Sequence, residues 1–478
     1  MSNRMPYIKA CQFVLCIRIY IIMTDLACHF ANIQTFRSFV RNFRSYMTGL
    51  LKRIRSSEFL KNVFTLVSAT SLAQGIALLI YPVLSRIYTP AEHGLFALYM
   101  SIISITAIFS TGKYELAVMI PKKDRDGAGL VVLGILLSFI FSTVLLVFIL
   151  VFRNEIPGWL GNKNIGQWLY FVPLSTFMVA VFQCFSYWTN RRKEYRNIAG
   201  ANLGQSILNS AVKLSTSKAL PGGGGLITGA IAGQITGALI FLGSIIKTGS
   251  ASILKSVNRK ELTSVAKQYS LFPRYNMVHY LTNNFSSSLP VFIFSSWFTA
   301  EQVGFYSFGF MMINRPMNLL TASFTQVFSQ RVIEKYNHGE WIRRDVRQLI
   351  TRLLILAVIP FTLAGIFGPA IFRFVFGDNW SEAGVYMRIL LPWLFLVFLS
   401  SPLSFLPDML SRQKKAMWID IVKFVLRIIA LAIGVILNDI YISLMLFSGI
   451  STIMVSYSLY WYVNLSRFAD SNNRHSGK

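Results

Sequence analysis

Negative charge is what this 478-residue chain has least of: 19 aspartate and glutamate residues stand against 46 lysine and arginine, and charged residues of both signs make up only 14%. Soluble domains carry about a quarter charged residues, so an ordinary water-facing surface is excluded. Cysteine is scarce as well. Cys11, Cys16 and Cys28 crowd the N-terminus and Cys184 sits inside an apolar run, which gives no disulfide framework. No Cys/His pair has zinc spacing, so no metal site and no cofactor is expected. The Gly222–Gly225 run lacks the Lys-Ser/Thr of a phosphate loop and reads as a flexible turn.

What is present is hydrophobic residue, 54% of the chain. It falls into twelve stretches of membrane length, at 62–84, 94–112, 128–152, 166–188, 197–214, 226–246, 276–298, 303–329, 350–374, 384–407, 416–437 and 440–463. Backbone polar groups cannot go unpaired in lipid, so these stretches must be helices. The connectors alternate between strongly basic and nearly neutral. Basic clusters occur at Arg37–Lys61, Lys113–Arg125, Arg191–Arg196, Lys247–Arg274, Arg331–Arg352 and Arg412–Lys415, while the opposite connectors hold a scatter that includes Arg86, Lys213 and Arg373. The imbalance, roughly thirty-three to seven, places both termini in the cytoplasm by the positive-inside rule. The net charge of +27 therefore belongs to anionic membrane lipids as partners, and nucleic acid is not expected.

The expected organisation is an N-terminal extension (1–58), a first six-helix lobe (59–247), a cytoplasmic connector (248–275), a second six-helix lobe (276–468) and a cytoplasmic tail (469–478). Within the extension, residues 10–23 are apolar but short for a span and broken by Arg18. Met47 opens a basic leader into the first span and reads as the true start, with 1–46 a mis-assigned beginning. The lobes look like copies. Thr89-Pro-Ala-Glu-His-Gly-Leu-Phe96 echoes Thr299-Ala-Glu-Gln-Val-Gly-Phe-Tyr306, and Leu160-Gly161 echoes Phe376-Gly377. Copies with an even number of helices have the same orientation, and two such lobes enclose a central cleft.

Ionisable residues inside membrane spans are functional candidates. Arg315 lies midway along the eighth span before Pro316, where it either faces the cleft or caps carbonyls freed by the proline. Asp420, Lys423 and Arg427 share one face of the eleventh span and either line the cleft or reach for the inner surface. Arg86 ends the first span; Lys113 and Glu115 end the second. All three read as interfacial anchors or as cleft groups, and Lys113, Glu115 and Asp420 are the candidates for coupling or gating. His279 reads as a packing histidine, and the tryptophans as interface anchors. A cleft this poor in acid suits an anion such as a phosphate head, which arginine grips bidentately.

Residues 82–99, Pro-Val-Leu-Ser-Arg-Ile-Tyr-Thr-Pro-Ala-Glu-His-Gly-Leu-Phe-Ala-Leu-Tyr, resemble the first-to-second helix signature of bacterial polysaccharide repeat-unit flippases of the Wzx type. Lys113-Tyr-Glu-Leu-Ala117, Pro121-Lys122, Phe376-Gly-Asp-Asn-Trp380 and Ser401-Pro-Leu-Ser404 resemble further parts of that family, and the similarity spans most of 60–465. The resemblance implies an all-α polytopic fold of two six-helix lobes around a central cavity. It also implies alternating access for an undecaprenyl-diphosphate-linked oligosaccharide, moved from inner to outer leaflet for O-antigen, capsule or exopolysaccharide assembly. The bacterial cytoplasmic membrane, and a glycan polymerase and chain-length regulator of the same pathway, are the implied location and partners. Arg86 and Arg315 fall where related lipid II flippases have cavity arginines; with Arg427 and supplementary Lys423 they are expected to hold the anionic head. A cation-coupled drug exporter of the same fold is the competing expectation, and it wants carboxylates deep in the first lobe. An enzyme of glycan synthesis is not expected, because Glu92, Glu155, Glu301, Asp378 and Glu382 are scattered on short loops.

Overall fold

The computed structural model describes residues 58–220 and 222–476, so the reading of Met47 as the start lies outside the described residues. Packing divides the chain into Met1–Thr65 and Leu66–Lys478. The described part of the first unit is the opening of one helix, and all contacts below lie in the second. Among the described residues there is no strand, and twelve helices have at least 20 residues. In chain order they are α1 (Glu58–Ile87), α2 (Pro90–Thr111), α3 (Asp124–Val151), α4 (Val172–Arg191), α5 (Tyr195–Ser215), α6 (Gly224–Lys247), α7 (Met277–Trp297), α8 (Ala300–Asn337), α9 (Arg343–Phe376), α10 (Ser381–Ser400), α11 (Gln413–Ile436) and α12 (Ile440–Ser476).

Six of these are long and apolar enough to cross a membrane by composition alone: α2, α3, α6, α9, α10 with its flanking turns, and α12. A seventh is α4 taken with the short stretch Lys163–Leu169, which meets it at 56°. Of the remaining five, all expected as spans, α1 is described in full over only part of its apolar length; α5, α7, α8 and α11 are more polar, and their placement explains it. Four of them (α1, α5, α7 and α8) wall an interior cavity, and α11 carries Arg427 into the body formed by the last six helices. Polar side chains on such helices meet one another rather than lipid. By contrast α9 exposes Ile355, Ile359, Ile366 and Phe374, as a lipid-facing helix should.

The repeat in the sequence has a structural counterpart where α2 and α8 begin. Thr89 and Glu92 form a capping box at the start of α2, and Thr299 and Gln302 form one at the start of α8. Each satisfies two backbone donors that a helix start leaves open, worth about 1 kcal/mol per cap. The two helices then cross glycine to glycine. A Cβ on Gly94 would collide with the Ala300 carbonyl, and one on Gly304 with the Pro90 carbonyl. Two hydrogen bonds flank the crossing in matching fashion. Ser295, ending α7, donates from Oγ to the Leu160 carbonyl at 2.8 Å; Ser85, ending α1, donates to the Phe376 carbonyl at 3.0 Å. Trp380 Nε1 adds a bond to the Ser85 carbonyl at 2.7 Å. The echoing Leu160-Gly161 and Phe376-Gly377 pairs are thus carbonyl acceptors for a serine of the other half. Together these contacts clasp the first six helices to the last six at one membrane face.

Separating α2 from α8 should open that face. In a cysteine-free background carrying Ser307→Cys in the cavity, Gly94→Leu or Gly304→Leu is expected to raise labelling by a membrane-impermeant maleimide several-fold. The reagent is added on the face where α2 and α8 begin. Unchanged labelling would show that the glycine crossing is not what shuts that side.

Candidate functional site

Between the two halves lies a cavity of about 370 Å³, walled by α1, α2, α5, α6, α7 and α8. Its defining groups are two cations, one from each half. Lys213, on α5, is 4% exposed, and its ammonium sits over the Phe96 ring at 4.6 Å. Arg315, on α8, places its guanidinium over the Tyr81 ring at 5.2 Å. Neither has an ion-pair partner among the described residues, and among those residues no aspartate or glutamate lines the cavity. For Arg315, midway along α8, holding a cation at the centre of a membrane helix costs about 3 kcal/mol on insertion scales. The aromatic faces offset part of that; an anion between the two would offset much more, because their fields add in the cavity.

Local architecture puts Lys213 there. Its own backbone carbonyl accepts the Tyr88 hydroxyl at 2.6 Å, pinning the end of α5 to the end of α1. On the other side, Gly229 of α6 leaves room for the lysine stem, which a Cβ at that position would hit. Above the cations, His93 of α2 is 3% exposed and wedged among aromatic rings, 5.0 Å from Trp380 and 5.2 Å from Phe308 between ring centres. Its Nε2 has no hydrogen-bond partner among the described residues. Ser104 and Ser288 approach within 3.4 Å across the α2–α7 wall, joining the halves beside the cavity.

Of the residues singled out from the sequence, the cavity lining contains Arg315 and omits Arg86, Lys423 and Arg427. Their contacts give the reasons. Arg86 is exposed on the last turn of α1. Lys423 pairs with Asp420 at 2.5 Å one turn away on α11, and Asp420 is exposed. Arg427 is buried, but within the last six helices. It donates to Ser451 Oγ at 2.8 Å and Ser286 Oγ at 3.3 Å, and lies between Trp393 (4.9 Å) and Phe447 (5.1 Å). That is a staple joining α7, α10, α11 and α12. Lys113 and Glu115 form a buried pair at 3.1 Å after α2, with Lys113 also over the Tyr280 ring of α7 at 4.9 Å. Their charges are therefore already compensated by each other. His279 is exposed.

Lys213 falls at the edge of its apolar stretch, so hydropathy alone assigns it to a connector. The signal that places it inside is the spacing Gln205, Asn209, Lys213, which puts three polar side chains on one face of α5.

A family model described as polysaccharide biosynthesis protein matches residues 83–385. No curated protein sequence matches the chain. Among solved structures, the lipid II flippase MurJ in its inward closed conformation is similar at 13% identity, covering 85% of this chain and 90% of its own, with a TM-score of 0.63. A mutant of the Vibrio cholerae MATE transporter VcmN is similar at 14%, covering 87% and 97%, with a TM-score of 0.56. An inward-facing multidrug resistance MATE family transporter of the MOP superfamily is similar at 14%, covering 86% and 96%, with a TM-score of 0.54. At these identities the likeness is one of fold.

The contrast between Arg427 and Arg315 is measurable. Arg427→Met removes two charge-assisted hydrogen bonds from a buried site and is expected to lower stability by on the order of 3 kcal/mol. The readout is a clear drop in the melting temperature of the detergent-solubilised protein. Arg315→Gln should leave that temperature nearly unchanged. The reverse pattern would exchange their structural and functional assignments.

Proposed function

The chain belongs to the polysaccharide biosynthesis protein family, and we propose that this multi-pass membrane transporter carries an undecaprenyl-diphosphate-linked oligosaccharide between leaflets for surface glycan assembly. The observation that carries the reading is a cavity that, among the described residues, has no carboxylate in its lining and two cations without an ion-pair partner, Lys213 and Arg315, facing it from opposite halves. A diphosphate is an anion with several acceptor oxygens. Arg315 can engage it bidentately, and Lys213 as a point charge from across the cavity. Arg315 belongs to the last six helices and Lys213 to the first six, so an anion bridging them joins the two halves.

The apolar polyprenyl tail has no reason to leave the lipid, and only the head needs shelter while the halves rock between openings. No covalent chemistry is involved. In this reading the membrane is the bacterial cytoplasmic one, with both termini inside, and the glycan polymerase and chain-length regulator act on the delivered product. A cation-coupled drug exporter of the same fold would put a free carboxylate in the first six helices. Among the described side chains there, Glu115 is the buried one, and it is neutralised by Lys113.

The test is binding and flipping with defined variants. Lys213→Gln and Arg315→Gln are each expected to weaken undecaprenyl diphosphate binding by roughly ten-fold, as loss of one charge-assisted contact implies. The double variant should fail to relieve the build-up of lipid-linked oligosaccharide on the cytoplasmic leaflet of a deletion strain while remaining in the membrane. Full complementation by the double variant would overturn the proposal.

A further inference from the structure

Next to the cations, the wall between α5 and α6 carries a feature that charge neutralisation does not use. Along α6, Gly225, Gly229, Gly233 and Gly237 recur every fourth residue and make one bare face. A Cβ on Gly233 would stand 2.8 Å from both the Asn209 Cβ and the Gln205 carbonyl, so α5 lies directly on this face. The close approach brings amides of both helices to the cavity: Gln205 and Asn209 from α5, Gln234 from α6. Gln234 is 5% exposed. The side-chain carbonyl oxygens of Asn209 and Gln234 have no hydrogen-bond partner among the described residues. Buried amide oxygens are normally paired, and two orphans beside one cavity call for a ligand that supplies donors.

The chemistry of that ligand is narrow. A phosphate oxygen could accept from the amide nitrogens but gives nothing to the carbonyl oxygens, which would stay unpaired. A small cation would suit bare oxygens, but Lys213 lies one turn from Asn209 on the same helix face and repels it. A neutral hydroxyl both donates and accepts, which matches a side-chain amide. One turn of helix, about 5.4 Å, separates Asn209 from Lys213, so a diphosphate held at Lys213 would bring its first attached sugar toward the amides. We propose that Asn209 and Gln234, with Gln205 beside them, form a subsite for the hydroxyls of the saccharide joined directly to the diphosphate. This rests on the transport reading above and adds that the cavity selects its cargo by sugar as well as by charge.

Binding to the full-length protein in lipid nanodiscs tests it, with undecaprenyl diphosphate bare or carrying one glucosyl, galactosyl or N-acetylglucosaminyl residue. At least one glycosylated form is expected to bind roughly ten-fold tighter than the bare lipid. Asn209→Leu and Gln234→Leu, and Asn209→Ala as the milder change, should abolish that gain while holding bare-lipid affinity within about two-fold, itself evidence of a folded cavity. A sugar-dependent gain that survives the variants, or no gain with any sugar in the unaltered protein, overturns the subsite and leaves the transport reading standing. Failure of the unaltered protein to bind bare undecaprenyl diphosphate overturns both.

Discussion

Positive charge held inside a membrane without a counter-charge is the constraint around which this molecule is arranged. Lys213 and Arg315 face one cavity from opposite halves, each over an aromatic ring, with no carboxylate in the lining among the described residues. Other interior charges are handled differently: Lys113 and Glu115 neutralise each other, and Arg427 is wrapped in hydroxyls and rings. In the proposed reading the difference separates groups that hold the fold together from groups that await an anionic cargo. A cationic cavity also repels coupling cations and attracts anionic heads at a distance, before any contact forms.

The same constraint orders the helices. Of the helices surrounding the cavity, α5, α7 and α8 are more polar than a lipid-facing span, whereas α9, which exposes Ile355, Ile359, Ile366 and Phe374, is apolar on its outer face. Closure at one membrane face comes from a paired set of small contacts, two capping boxes, two glycines and two serine-to-carbonyl bonds. None is individually strong; neutral hydrogen bonds contribute about 1 kcal/mol each. A clasp built from such contacts can separate without unfolding either half, and alternating access requires that.

Much of this is legible in the chain itself. Apolar run lengths and basic connectors mark the helices, and the echo between Thr89–Phe96 and Thr299–Tyr306 anticipates the paired helix starts that the clasp uses. Arg315 stands out because an arginine beside a proline in mid-span is tolerated only where a cavity or freed carbonyls receive it. Lys213 escapes notice because hydropathy windows treat a charge at the end of a run as a loop residue, although Tyr88 and the α6 glycines hold it inside. Arg427 shows the opposite limit. Depth and sign identify a buried cation, but its partners Ser286 and Ser451 lie on other helices, and no spacing rule within α11 points to them. Periodicity tells which residues share a face; it does not tell what that face meets.

The most direct measurement is a cryo-EM map of the protein in lipid nanodiscs with undecaprenyl diphosphate added. The account predicts density for the diphosphate between the Lys213 ammonium and the Arg315 guanidinium, with the tail leading out into lipid. Density at exposed Arg86 or the basic surface of α9, with the cavity empty and its two cations turned toward protein partners, would contradict it.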